Sequence, residues 1–129
     1  MIEITPIYAA IVALLMAVLS TRVGLLRGKH GVALGTGENR ELALGIRRFG
    51  NLAEYAAMAV LLMVLMELKG ISATWLHAYG IALVALRLLH PFILFDTMEA
   101  PIWKKAGRFL AGAGTALLLV IGGVVIVWG

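Results

Sequence analysis

The sequence predicts an all-α integral membrane protein, a single four-helix transmembrane bundle over residues 1–129. Three observations predict it. First, the chain is 62% hydrophobic and only 14% charged, with a mean hydropathy of +1.00. A soluble domain of this length has no interior large enough to hide that much apolar surface, so the bilayer must serve as its solvent. Second, the apolar residues gather into four segments, each long enough at about 20 residues to cross a hydrocarbon core of ~30 Å. Third, the basic residues gather between those segments. Helices are the open-ended structures that satisfy their own backbone in lipid, so all four segments read as helical.

The first helix is expected at about 4–26, with Pro6 in its opening turn. The second runs at about 46–68 and stops at Lys69-Gly70, where a glycine suits the C-terminus. The third starts at about 72, with Ser72 as its N-cap, and ends near Phe95. The fourth covers about 101–128. Small residues mark close helix approaches: Ala9, Ala13, Ala17 and Thr21 on the first helix, and the pairs Gly107/Ala111 and Gly112/Ala116 on the fourth. Trp75, Trp103 and Trp128 lie near span ends, as an interfacial belt requires.

The net charge of +4 does not indicate nucleic acid, because the basic residues flank apolar spans and form no independent basic domain. The 1–2 loop holds Arg27, Lys29 and Arg40, with Arg22, Arg47 and Arg48 at its helical margins. The 3–4 connection is followed by Lys104, Lys105 and Arg108. The 2–3 connection has Lys69 alone, and the termini have no lysine or arginine. The positive-inside rule then places loops 1–2 and 3–4 in the cytoplasm and both termini outside. The sequence contains no cysteine, which excludes a disulfide framework, a protein thiolate nucleophile and a Cys-ligated metal. The N-terminus carries Glu3 and lacks a basic n-region and a cleavage site, so the first span is read as permanent. Gly28, Gly31, Gly35 and Gly37 in the 1–2 loop lack the phosphate-loop spacing and follow no strand.

The second helix opens with Ile46-Arg47-Arg48-Phe49-Gly50-Asn51-Leu52-Ala53-Glu54-Tyr55. Arg47, Asn51, Glu54 and Tyr55 fall at spacings of four, three and one, so they share one helical face. Glu54 lies about two turns into the span, where an ionised carboxylate costs ~2.5 kcal/mol or more and needs a partner. Arg87 on the antiparallel third helix lies at matching depth, and an Arg87–Glu54 pair is the natural expectation. Taken alone, such a pair serves equally well as an architectural lock. His90 lies one turn beyond Arg87 on the same face, and Pro91 is expected to kink the helix there. Arg22, Arg47, Arg48, Asn51, Tyr55, Arg87 and His90 together exceed what one structural pair requires. That surplus of donors predicts an anionic, multi-carboxylate ligand entering from the cytoplasm. Without a second His or Cys nearby, no metal site is expected at His90.

The run Arg47-x-x-x-Asn51-x-x-Glu54-Tyr55 at the start of a second membrane helix resembles the signature of the MAPEG family, the membrane-associated proteins in eicosanoid and glutathione metabolism. Arg87-x-x-His90 on the third helix and Ala100-Pro101 before the fourth extend the likeness over nearly the whole chain. The stretch Gly35–Tyr55 is similar to the small bacterial members. The resemblance implies a homotrimer in the bacterial inner membrane, with glutathione bound at subunit interfaces open to the cytoplasm. It also implies that Arg22, Arg47, Asn51, Glu54, Tyr55, Arg87 and His90 form the glutathione site. Glu54 would face the tripeptide's amino group, and the arginines and Asn51 its carboxylates. Arg22 or Lys104 would stabilise the thiolate, since a cation beside sulfur lowers the thiol pKa.

Two positions depart from the catalytic relatives. An arginine near the start of their fourth helix is Trp103 here, followed by Lys104, which lacks the planar fork of arginine. A glutathione-touching tyrosine on their third helix is Leu94. The resemblance implies a membrane-bound glutathione transferase, also a peroxidase in some readings, acting on hydrophobic electrophiles drawn from the membrane in a detoxification role, whereas these two departures favour binding over catalysis. The alternative is a non-catalytic glutathione- or lipid-binding protein of the same family. A small proton-coupled exporter would carry its key carboxylate mid-span in the first helix, where this chain has only Glu3 at the edge.

Overall fold

Proline, asparagine and glycine mark several of the helix ends in the bundle. The computed structural model describes residues 1–94 and 99–129. Within them lie α1 (Thr5–His30), α2 (Arg40–Leu68), α3 (Ala73–Ile93) and α4 (Ile102–Trp128). All four are long and apolar enough to cross a membrane. Helix α1 opens on Pro6, whose missing N–H costs nothing in a first turn. Helix α2 begins six residues ahead of its apolar run, because Asn39 caps it by accepting the N–H of Leu42 at 2.9 Å. At 29 residues it is ~43 Å long, so its polar first turns extend beyond the hydrocarbon. It ends at Leu68, and Gly70 follows with φ +79°. Ser72 sits at the α3 N-cap position without a side-chain capping bond. The expected end of the third helix at Phe95 lies outside the described residues.

Helices α2 and α3 form the middle of the bundle. Helix α1 packs on one flank of this pair and α4 on the other. The buried stripe of α2 is Leu52, Ala56, Ala59, Met63 and Met66, and that of α3 is Leu76, Tyr79, Leu83 and Arg87. Both repeat at three- and four-residue steps, as a helix with one covered face must. Gly80 lets α1 approach α3 closely: a Cβ there would meet the Tyr8 ring. The Tyr8 hydroxyl and His77 Nδ1 lie 2.7 Å apart beside it. Of the small-residue ridges, Gly107 and Ala111 do face α3. Ala13, Ala17 and Thr21 on α1 instead turn away from the bundle. Leu14, Val18, Leu61, Phe109 and Val120 are exposed as well, an outer surface that requires lipid or protein against it.

The N-terminus of α1 is held from α2. The Glu67 carboxylate accepts backbone N–H groups from Glu3, Ile4 and Thr5 at 2.7, 2.7 and 2.8 Å. An acidic side chain at a helix N-terminus satisfies donors that have no partner within the helix and complements the helix dipole. Glu67→Ala is therefore expected to fray α1. Amide exchange at residues 3–7 should accelerate about tenfold while exchange in α3 stays unchanged, as read by hydrogen–deuterium mass spectrometry.

Candidate functional site

The polar residues of α2 are laid out by its periodicity. With Leu52, Ala56 and Ala59 turned inward, positions 47, 54 and 55 must lie off the buried stripe. Arg47, Glu54 and Tyr55 are exposed, and Asn51 is half-buried at the boundary. Arg47 Nη1 donates to Glu54 Oε1 at 3.5 Å, two turns along the same face. Both side chains are more than half exposed in the single chain, at 59% and 57%. On a helix inside a membrane, such a pair requires a covering of protein, water or ligand rather than lipid.

Arg87 is placed differently from the expectation. It does not pair with Glu54. Position 87 continues the buried stripe of α3, which turns the side chain into the bundle, whereas position 54 faces out of it. Depth matches the two residues, but direction separates them. Arg87 is 1% exposed. It donates to Asn51 Oδ1 at 3.0 Å and to the Ala111 carbonyl at 2.9 Å, and also to Thr115 Oγ1. The Thr115 hydroxyl in turn donates to the Ala111 carbonyl at 2.7 Å. The guanidinium thus ties α3 to α2 and α4, while its buried Nε has no partner. The Tyr55 ring centroid lies 5.9 Å from Arg87 Cζ, near enough for a cation–π contact.

This arrangement fixes the Asn51 amide. A guanidinium only donates, so the atom it meets must be the Asn51 oxygen, and the NH₂ group with its two donors is directed elsewhere. Asn51 itself is half-buried at the edge of the α2 face, one turn from each of the exposed Arg47 and Glu54. Gly50 carries no side chain there, and a Cβ at that position would lie 3.8 Å from Glu54 Oε1.

His90 is buried one turn from Arg87. Arg47 and Arg48 of α2 and Arg108 of α4 belong to the same end of the bundle. The charge of Arg22 on α1 acts on Arg48, which links α1 to the same cationic end. Lys104 stands apart: its ammonium lies 5.4 Å from the ring centroid of Trp103, and among the described residues no bond joins it to the α2 face. Leu94 is buried just after α3. The structure adds Thr115, Ala111 and Arg108 of α4 to the residues singled out in the sequence. A lone threonine in the apolar stretch beyond Arg108 gives almost no signal, and Arg108 itself reads first as a flanking charge.

The pattern of the MAPEG family matches residues 5–128. Two curated relatives carry the name Inner membrane protein YecN, one from Escherichia coli strain K12 and one from Escherichia coli O6:H1 strain CFT073. Each is 35% identical over 118 residues, covering 92% of this chain and 87% of the relative. No solved structure matches the chain.

Proposed function

The chain belongs to the MAPEG family, and from that premise we propose that it is a glutathione transferase of the bacterial inner membrane. The observation that carries the proposal is the exposed face of α2, where the Arg47–Glu54 pair stands uncovered within a membrane helix, one turn from the half-buried Asn51. Charged groups there need a polar occupant. Glutathione is such an occupant, with two carboxylates, an ammonium group and a thiol. Glu54 receives the ammonium group, Arg47 and Arg48 meet the carboxylates, and Asn51 donates from its NH₂. Tyr55 lies along the ligand, while Arg87 and His90 act from beneath the face. The protein is a homotrimer in which a neighbouring subunit closes this face, with the cleft opening to the cytoplasm and the termini on the other side.

The chemistry belongs to the glutathione sulfur. The thiol loses its proton to solvent, and a nearby cation, Arg22 or Lys104, holds the thiolate. Arg108 in the first two turns of α4 places a further cation at this end. The thiolate attacks an electrophilic carbon of a hydrophobic acceptor, a carbon–sulfur bond forms, and the leaving group departs with its electron pair. The protein contributes orientation, charge stabilisation and a dry groove.

The second reading is a protein that binds glutathione or lipid without turnover. It is favoured by Trp103, which is 61% exposed at the start of α4 and has Lys104 drawn over its ring. Rapid mixing with glutathione separates the two. The transferase reading expects an ultraviolet thiolate absorbance and conjugation of a chloronitrobenzene in reconstituted membranes. Binding without thiolate formation or turnover would establish the second reading.

A further inference from the structure

A groove lies at the opposite end of the bundle from the α2 polar face, on the side of the termini. It has a volume of about 500 Å³, and its walls are Met66 of α2, Trp75 and Tyr79 of α3, and Leu118, Ile121 and Val125 of α4. Those walls are hydrocarbon and aromatic ring. The Tyr79 hydroxyl does not disturb this, because it donates to the Leu118 carbonyl at 3.1 Å.

Two features identify the occupant. The first is length. Along α4 the lining runs from Leu118 to Gly129, which at 1.5 Å per residue is ~16 Å, about half of a ~30 Å hydrocarbon core. That is the depth of one leaflet. The second is charge. Lys69 stands at the outer rim, between Leu68 and the Gly70–Ile71 connection, and Ile71 itself lines the groove. Its ammonium donates to the backbone oxygens of Ile126 and Gly129 at 2.7 and 2.8 Å. A lysine has three N–H donors, so one remains. Lys69 is also the only lysine or arginine at this end of the bundle; every other one lies in α3, near the 1–2 loop or beside the 3–4 connection.

We infer that this groove is a binding site for an anionic glycerophospholipid, with one acyl chain between α2, α3 and α4 and the headgroup phosphate on Lys69. The site is separate from the α2 polar face and does not depend on what that face binds. A basic residue at the membrane surface favours anionic lipid by a factor of about five, which sets the size of the expected effect.

The test uses Trp75 as its reporter. Trp103→Phe and Trp128→Phe leave it as the only tryptophan. The full-length protein is reconstituted into phosphatidylcholine vesicles containing increasing fractions of acyl-brominated phosphatidylglycerol or, separately, acyl-brominated phosphatidylcholine. Bromine quenches tryptophan only on close approach. The anionic lipid is expected to quench Trp75 at about one-fifth of the fraction the zwitterionic lipid requires. Lys69→Gln should bring the two curves together, Lys69→Arg should keep them apart, and Ala78→Leu, which fills the groove, should remove the preference. Equal quenching by both lipids in the parent protein would overturn the inference, as would a preference that survives Lys69→Gln. A Trp75 quenched by neither lipid would overturn it too, and would assign the groove to a second copy of the chain.

Discussion

Arg87→Met is expected to leave the bundle as stable as the parent protein while weakening glutathione binding about tenfold. The two effects separate because Arg87 does two things. It is a cation buried at 1% exposure, and among the described residues its bonds go to an amide, a carbonyl and a hydroxyl, none to a carboxylate. Removing such a charge and refilling its volume with an apolar side chain is close to neutral for stability, because the desolvation cost disappears with the bonds. Arg87→Ala differs. It leaves a cavity where the long side chain stood, for an expected loss of about 3 kcal/mol. Both variants release the Asn51 amide to rotate, and one well-placed hydrogen bond to a ligand is worth about a factor of ten. Melting curves and glutathione titrations of the two variants give the comparison. Parent-like affinity in Arg87→Met would mean that the Asn51 amide needs no holding.

Gly80→Ala is expected to cost about 3 kcal/mol, a large effect for one methyl group. A Cβ at position 80 would overlap the Tyr8 ring. The ring is rigid and packed in the main core with Ala59, Met63 and Leu83, so it has no free direction to yield. Forcing extra volume into a packed core typically costs 1–3 kcal/mol, and this site has backbone on one side and aromatic ring on the other. Part of the loss should come from separating α1 from α3 and breaking the Tyr8–His77 hydrogen bond. A double-mutant cycle isolates the cause: in a Tyr8→Ala background, Gly80→Ala should cost almost nothing. Equal costs in the two backgrounds would place the strain elsewhere.

Much of this arrangement was legible in the residues. Four apolar runs gave four helices, and the spacing of Arg47, Asn51, Glu54 and Tyr55 gave one face. The Arg87–Glu54 pairing went wrong for a physical reason. Depth along two antiparallel helices fixes height but not direction. The direction was encoded in the stripes: Arg87 continues Leu76, Leu83 and their neighbours, while Glu54 lies off Leu52, Ala56 and Ala59. The early start of α2 escaped an argument built on apolar length, because Asn39 and Glu41 are polar capping signals outside the lipid-soluble run. Thr115 could not be read at all. Beyond Arg108 helix α4 is apolar on every side, so its sequence does not show which face meets Arg87.

The central claim is that the exposed polar face of α2 is a glutathione site. Calorimetric titration of glutathione into purified, detergent-solubilised protein, beside the Glu54→Gln variant, tests it most directly. Among the described residues Glu54 is the only carboxylate on that face, so neutralising it removes the partner of the ligand's ammonium group while the exposed position leaves folding untouched. The expected result is saturable binding in the parent protein and affinity about thirtyfold weaker or worse in Glu54→Gln, with the melting temperature and oligomeric state unchanged. Parent-like affinity in the variant, or no binding to the parent protein, would contradict the claim.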